Sequence, residues 1–308
     1  MIKIDLDILK QGTPSKQVLS CSFFTTKDSY REFAKYQSSL TDFLWQQKQI
    51  SGFEVRIYTD NSGAEFALEA SNIYSNVSVY HYNCLDYRDD KWHSGMFGTL
   101  CRLLPLFEEL DLVWVSDIDI PQRFLSPAIL NQLDNGIPVY IDTRVCNTTR
   151  KFGRQFPIIL HKFISRLRFP NFLLSGFLDD LHQGREQRFI EYLNKNNKTK
   201  PYSRVPYGID EYFMNTRIYE YLQSSGTKCL VGKDYLNRII MQENVSDEHR
   251  LILKTYFLTH DKNLFPKIKE IMKASLPGLI EKYPCCKETL DNLDILNSSS
   301  LVLYKTLI

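Results

Sequence analysis

A short, very apolar run, Leu112-Val113-Trp114-Val115, breaks off at Ser116-Asp117-Ile118-Asp119-Ile120-Pro121. A run of that length bounded by charge reads as a buried central strand. Pro121 has no N–H to give to a ladder, so the strand stops there and two aspartates stand at its mouth. Upstream, residues 17–24 (QVLSCSFF), 53–59 (FEVRIYT) and 77–82 (VSVYHY) are strand candidates. Residues 30–50 read as one long helix, with Asp28 or Ser29 as N-cap and Phe33, Tyr36, Leu40, Phe43, Leu44 and Gln47 along one side. Asp60-Asn61-Ser62-Gly63 is a turn signature, and residues 64–71 follow as a short helix. This βαβαβ opening predicts a mostly parallel sheet covered by helices. Residues 94–110 predict a helix leading into the acid strand, because Met96, Leu100, Leu103, Phe107 and Leu110 step by three or four. Gly95, Gly98 and Arg102 share another face, and Pro105 kinks or restarts the helix.

The pattern weakens downstream. Residues 124–133 predict a short helix, 138–142 a strand and 209–222 a helix. Between 151 and 187 only 172–177 (FLLSGF) stands out, and 195–200 (KNNKTK) is a polar loop. Residues 251–258 fit strand or helix, while 265–273 and 279–283 look helical. With no internal repeat or clear linker, the expectation is one domain over residues 1–265 with a mainly helical extension over 266–308 packed on it.

Composition narrows the class. Hydrophobic residues make up 43% and charged residues 24%, enough for a full core. The net charge of +2 gives no global field for nucleic acid, so none is expected as a partner. The seven cysteines are odd in number and form no Cys-x-x-Cys pair, which predicts a reduced, cytoplasmic setting. The charged start lacks an apolar signal core, and no stretch approaches the roughly 18 apolar residues of a transmembrane segment.

Neither aspartate of the acid strand belongs in a core unless something offsets its desolvation. At the carboxyl end of a strand in an open α/β sheet, a ligand or a metal does so. Carboxylates at i and i+2 are hard donors suited to Mg²⁺ or Mn²⁺ that keep positions open for phosphate oxygens. The plainer alternative is two capping or salt-bridged surface acids.

Three pieces in order carry a resemblance: Gly98-Thr99-Leu100-Cys101-Arg102 on a helix, the strand ending in Asp117-Ile118-Asp119, and Tyr207-Gly208-Ile209-Asp210-Glu211-Tyr212-Phe213-Met214-Asn215. Together with the βαβαβ opening they make residues 17–215 resemble a nucleotide-sugar glycosyltransferase of the GT-A fold with an Asp-x-Asp motif, similar to glycogenin-like enzymes and related galactosyltransferases. The resemblance implies an α/β, Rossmann-like mixed sheet, mostly parallel and flanked by helices. It implies hexosyl transfer from a nucleoside-diphosphate sugar, a UDP-sugar by preference, to a hydroxyl of a glycan, protein or small molecule. It also implies Mn²⁺ or Mg²⁺ bridging the diphosphate as the glycosidic bond breaks.

Under that resemblance Asp119 is the direct metal ligand, and Asp117 contacts the sugar or ribose or reaches the ion through water. His260, ending an apolar run, is a candidate third ligand, or an exposed histidine at an element end. Arg102 holds the diphosphate or donor sugar with its planar fork, Gly95 and Gly98 leaving room beside it, or else it pairs with Asp117 or stands solvated. Ser22, Phe23 and Phe24 lie beside base and ribose, although each phenylalanine taken singly suits the core better. Asp60 meets uracil or ribose, or caps its turn. Asp210 and Glu211 are the candidate catalytic acids, or caps favoured at a helix start. Two rival readings stand: a phosphatase of haloacid-dehalogenase type with Asp117 as nucleophile and Asp179-Asp180 as a later acidic pair, and a non-catalytic module that binds a nucleotide sugar or carbohydrate.

Overall fold

The computed structural model describes residues 2–26, 33–89, 92–119, 130, 133, 137–143, 150–151, 154–155, 158–196, 203–233, 245–259 and 262–282. Its main elements begin with β1 (Asp5–Lys10), β2 (Gln17–Ser22), α1 (Phe33–Gln46), β3 (Glu54–Thr59), α2 (Ala64–Ser71) and β4 (Val77–Asn83). Next come α3 (Phe97–Cys101), β5 (Leu112–Ser116), β6 (Val139–Thr143), β7 (Ile158–Ser165), α4 (Phe172–His182) and α5 (Gln187–Asn196). Then follow α6 (Ile209–Phe213), a π-helical turn (Met214–Ile218), α7 (Tyr219–Ser224), β8 (Cys229–Lys233), α8 (Asp247–Thr259) and α9 (Phe265–Lys282). The chain divides into two compact units: Met1–Pro121 with Leu160–Ser225, and Gln122–Ile159 with Gly226–Ile308.

In the first unit the strands lie in the order β1-β4-β3-β2-β5-β7. The inner four are parallel, while β1 runs antiparallel to β4 and β7 antiparallel to β5 at the flanks. This is an α/β fold with a mixed sheet, mostly parallel in its core and flanked by helices. Every residue of β3 and β5 is buried, as expected of strands covered on both faces. Val18, Leu19, Val55, Ile57, Trp114 and Val115 are all 0% exposed and form the centre of the core. The chain steps from β2 to β3 to β4 through α1 and α2, then returns to lay β5 on the other side of β2. The winding direction therefore reverses between β2 and β5. The second unit pairs β6 and β8 in parallel and carries the helices α8 and α9. No described helix is long and apolar enough to cross a membrane.

Several expectations change. The helix over 94–110 shortens to α3 and a 3-10 turn, Leu104–Phe107, with Pro105 at its start. Proline cannot donate to a continuing α-helical ladder, so the chain restarts there. The helix over 30–50 ends in a 3-10 turn at Gln47–Gln49, and both its N-cap candidates lie outside the described residues. Strand β1 was not expected: its apolar Leu6, Ile8 and Leu9 are exposed, and it is held by pairing with β4. The unread stretch after 151 contains β7, α4 and α5. Residues 251–258 are helical within α8, and the two helices placed after 265 are one, α9, running through Pro277. Most of the helix expected at 124–133 lies outside the described residues.

Candidate functional site

The carboxyl ends of β2 and β5 lie side by side, Ser20 being in register with Val115. Just beyond them the first unit opens into a cleft, lined among others by Ser22 and Phe24 at the end of β2, Asp117, Ile118 and Asp119 after β5, and Arg102 after α3. Gly208, Asp210 and Glu211 at the start of α6 close another wall. Gly208 has φ +85°, a left-handed turn that a side chain would strain and that starts α6 at the cleft.

Arg102 is the hub. It is 4% exposed, and Nη1 donates to the Ser116 carbonyl at 3.1 Å and to Asp117 Oδ1, while Nη2 donates to Asp210 Oδ2 at 2.6 Å. Its own carbonyl accepts from Ser20 Oγ at 2.6 Å, fixing the main chain behind it to β2. Burial would push this guanidinium down, but Asp117 and Asp210 outweigh it and hold it above its ordinary value. Asp210 Oδ1 also accepts from the Glu211 N–H at 2.9 Å, so Asp210 holds a backbone N–H in the first turn of α6 and pairs with Arg102 at once. Burial pushes the Asp117 carboxyl up to about 6; Arg102 opposes the shift, and Asp119 and Asp210 add to it. Arg102 thus shows the ion pair that its neighbourhood in the chain suggested.

The helix bearing Asp210 and Glu211 is anchored from behind. Arg217, in the π-helical turn, donates from Nη2 to Asp180 Oδ2 and to Glu186 Oε1, both at 2.8 Å. Tyr212 donates its hydroxyl to the other oxygen of Glu186. Asp180 is thereby a structural partner of Arg217 and Arg185. π-helical turns concentrate at functional sites because they re-aim a helix face.

Not every candidate comes together. Phe23 is 0% exposed and packs its ring on Phe66 and Phe33 at 5.5 and 5.9 Å, which places it in the core. Asp60 is 1% exposed; Oδ1 accepts from the Ser62 N–H at 3.0 Å, and Oδ2 meets His93 Nδ1 at 3.1 Å. Its carboxylate therefore closes the turn after β3. His260 lies outside the described residues. The space beside Gly95 and Gly98 is filled by protein: a Cβ on Gly98 would meet the Phe24 ring and the Tyr82 hydroxyl, and one on Gly95 would meet Ser203 and the Val205 carbonyl. Tyr36, Met96, Thr99, Leu160 and Tyr207 also line the cleft. Tyr207, 41% exposed beside Gly208, carried a signal as an exposed aromatic in the Gly-Ile-Asp-Glu segment. Tyr36 reads as core from its helix period, and Leu160 sits in a stretch without a legible pattern.

Four lining carboxylates against one guanidinium leave the cleft strongly acidic. Among the described residues no three His, Cys, Asp or Glu side chains converge on one point as a closed metal cage. Mg²⁺ and Mn²⁺ sites that also engage phosphates need only one or two protein carboxylates, the remaining donors being waters and substrate oxygens. Asp117 and Asp119, two acids one residue apart at the end of β5, fit that donor set. No protein-family model matches the chain, and no curated protein matches it either.

Proposed function

We propose that this cleft binds a nucleoside-diphosphate sugar, and that the chain is a metal-dependent GT-A-type hexosyltransferase acting from a UDP-sugar on a hydroxyl acceptor. The observation that carries the reading is the position of the acids. Asp117 and Asp119 leave β5 beside the end of β2, where the winding reverses and open α/β sheets bind their ligands. Ser22 and Phe24, from the neighbouring strand end, form the wall for the nucleoside, and the exposed ring of Tyr207 offers an apolar face near the sugar.

Asp117 and Asp119 would hold Mn²⁺ or Mg²⁺, which supplies neutralisation of the diphosphate leaving group. Arg102 ties Asp117 to Asp210, so the acids of β5 and of α6 are held in a set orientation toward the cleft. Asp210 and Glu211 stand where a sugar carbon or an acceptor hydroxyl would lie. Glycan, protein and small-molecule hydroxyls remain the acceptor classes, and the cytoplasm the expected setting.

Calorimetric titration of UDP, with and without Mn²⁺, into wild type, Asp117→Asn and Asp119→Ala tests the proposal. Binding that requires Mn²⁺ and collapses in Asp119→Ala supports it. Metal-independent binding, unchanged in Asp119→Ala, refutes it. An aspartyl-phosphate formed by wild type from a phosphomonoester and lost in Asp117→Asn would assign the phosphatase instead.

A further inference from the structure

Among the described residues lining the cleft, Arg102 is the one basic side chain. It does not face the open space as a free anion receptor. Its two terminal nitrogens reach Asp117 and Asp210, from two separate segments of the chain, and Ser20 pins its carbonyl. At 4% exposure it is screened little by solvent and has no room to swing out. A guanidinium cannot shed its proton in a protein, so the positive charge stays.

We propose that Arg102 is an internal counter-cation. It occupies the acids of the ligand-free cleft and prevents a divalent cation from settling there until a phosphate-bearing ligand brings further oxygen donors. The inference rests on the nucleotide-sugar reading above. A divalent ion arriving alone must share Asp117 with a fixed charge of its own sign, and like charges this close repel. A diphosphate changes that balance by adding negative charge and hard oxygen ligands. Cation and diphosphate therefore bind cooperatively, and linkage makes the cooperation reciprocal. Arg102 acts through the two aspartates and is a positioning residue. The consequence is a cleft that stays closed to free cations and assembles its metal site only around its donor.

The test titrates Mn²⁺ alone, read by the electron paramagnetic resonance of the free ion, into wild type, Arg102→Gln and Arg102→Lys. Each titration is repeated with saturating UDP. Arg102→Gln is expected to bind Mn²⁺ alone at least about tenfold more tightly than wild type, despite melting lower, because one fixed positive charge is gone. Its cooperativity with UDP shrinks by the same order. Arg102→Lys keeps the charge, and its affinity for Mn²⁺ alone stays near that of wild type. Equal or weaker Mn²⁺ affinity in Arg102→Gln overturns the proposal. Should that variant not fold, wild type decides: Mn²⁺ bound no more tightly with UDP than without it overturns the proposal equally. A wild type that binds neither Mn²⁺ nor UDP together or apart refutes the nucleotide-sugar reading itself, whereas cooperative binding insensitive to residue 102 refutes the role of Arg102 alone.

Discussion

A methyl group on Gly98 would collide with the Tyr82 hydroxyl and with the ring of Phe24, whose Cε1 would lie 2.6 Å away. Both neighbours are buried, so overpacking there costs about 1–3 kcal/mol. Gly98→Ala is therefore expected to lower the calorimetric melting midpoint by several degrees; an unchanged midpoint would mean that Phe24 moves aside freely. Asp119 is exposed at the cleft and its loss leaves the core untouched. Asp119→Ala should keep the wild-type melting midpoint within about a degree, in line with the small effects of surface substitutions. Asp117 behaves differently, because burial lifts its carboxyl from 3.8 to about 6. Between those values the native state keeps a proton that the unfolded chain has released. Stability of the ligand-free protein therefore falls as pH rises through that window and levels off above it. Urea midpoints measured against pH in the presence of EDTA should show this slope in wild type and lose it in Asp117→Asn; parallel curves would show that Asp117 titrates normally.

At the scale of elements, the segment that carries Asp210 and Glu211 owes its place to Arg217. The Arg217 side chain is 22% exposed, between Asp180 and Glu186 at 25% and 14%. Arg217→Ala takes from Glu186 its cation and leaves Asp180 with Arg185 alone, at a cost of about 1–3 kcal/mol. The expected result is a lower urea midpoint with an unchanged slope, and slower transfer from the displaced α6. A midpoint equal to that of wild type would show that the network only decorates the surface. The acid strand was legible beforehand because β5 is apolar over residues 112–115 and gives way to serine and then charge. Strand β7 was not, since nothing local says that residues 158–165 pair antiparallel with β5. The gap between the helices expected at 265–273 and 279–283 closes as well: α9 continues through Pro277, whose side chain is exposed.

For the whole molecule, the decisive feature is the reversal of winding between β2 and β5. Any ligand seated there touches two strand ends and two helix ends at once, so binding should stabilise the native state. A ligand at 100 times its dissociation constant contributes about 2.7 kcal/mol by mass action. UDP with Mn²⁺ is expected to raise the melting midpoint by several degrees, and neither alone to match it. A rise with GDP and Mn²⁺ but not with UDP would reassign the base.

Much of this protein is written locally. The order of the main strands and helices from β2 to β5, the burial of Trp114 and the acids at the strand mouth all follow from short-range period and charge, because each depends on neighbours within a few residues. The pairing of Arg102 with Asp210, the withdrawal of Phe23 and Asp60 from the cleft, and the entry of Tyr36 and Leu160 into it depend on contacts between distant segments. No local pattern encodes those contacts. They arise when strand order is set by packing, which places β5 beside β2 and brings the start of α6 over both.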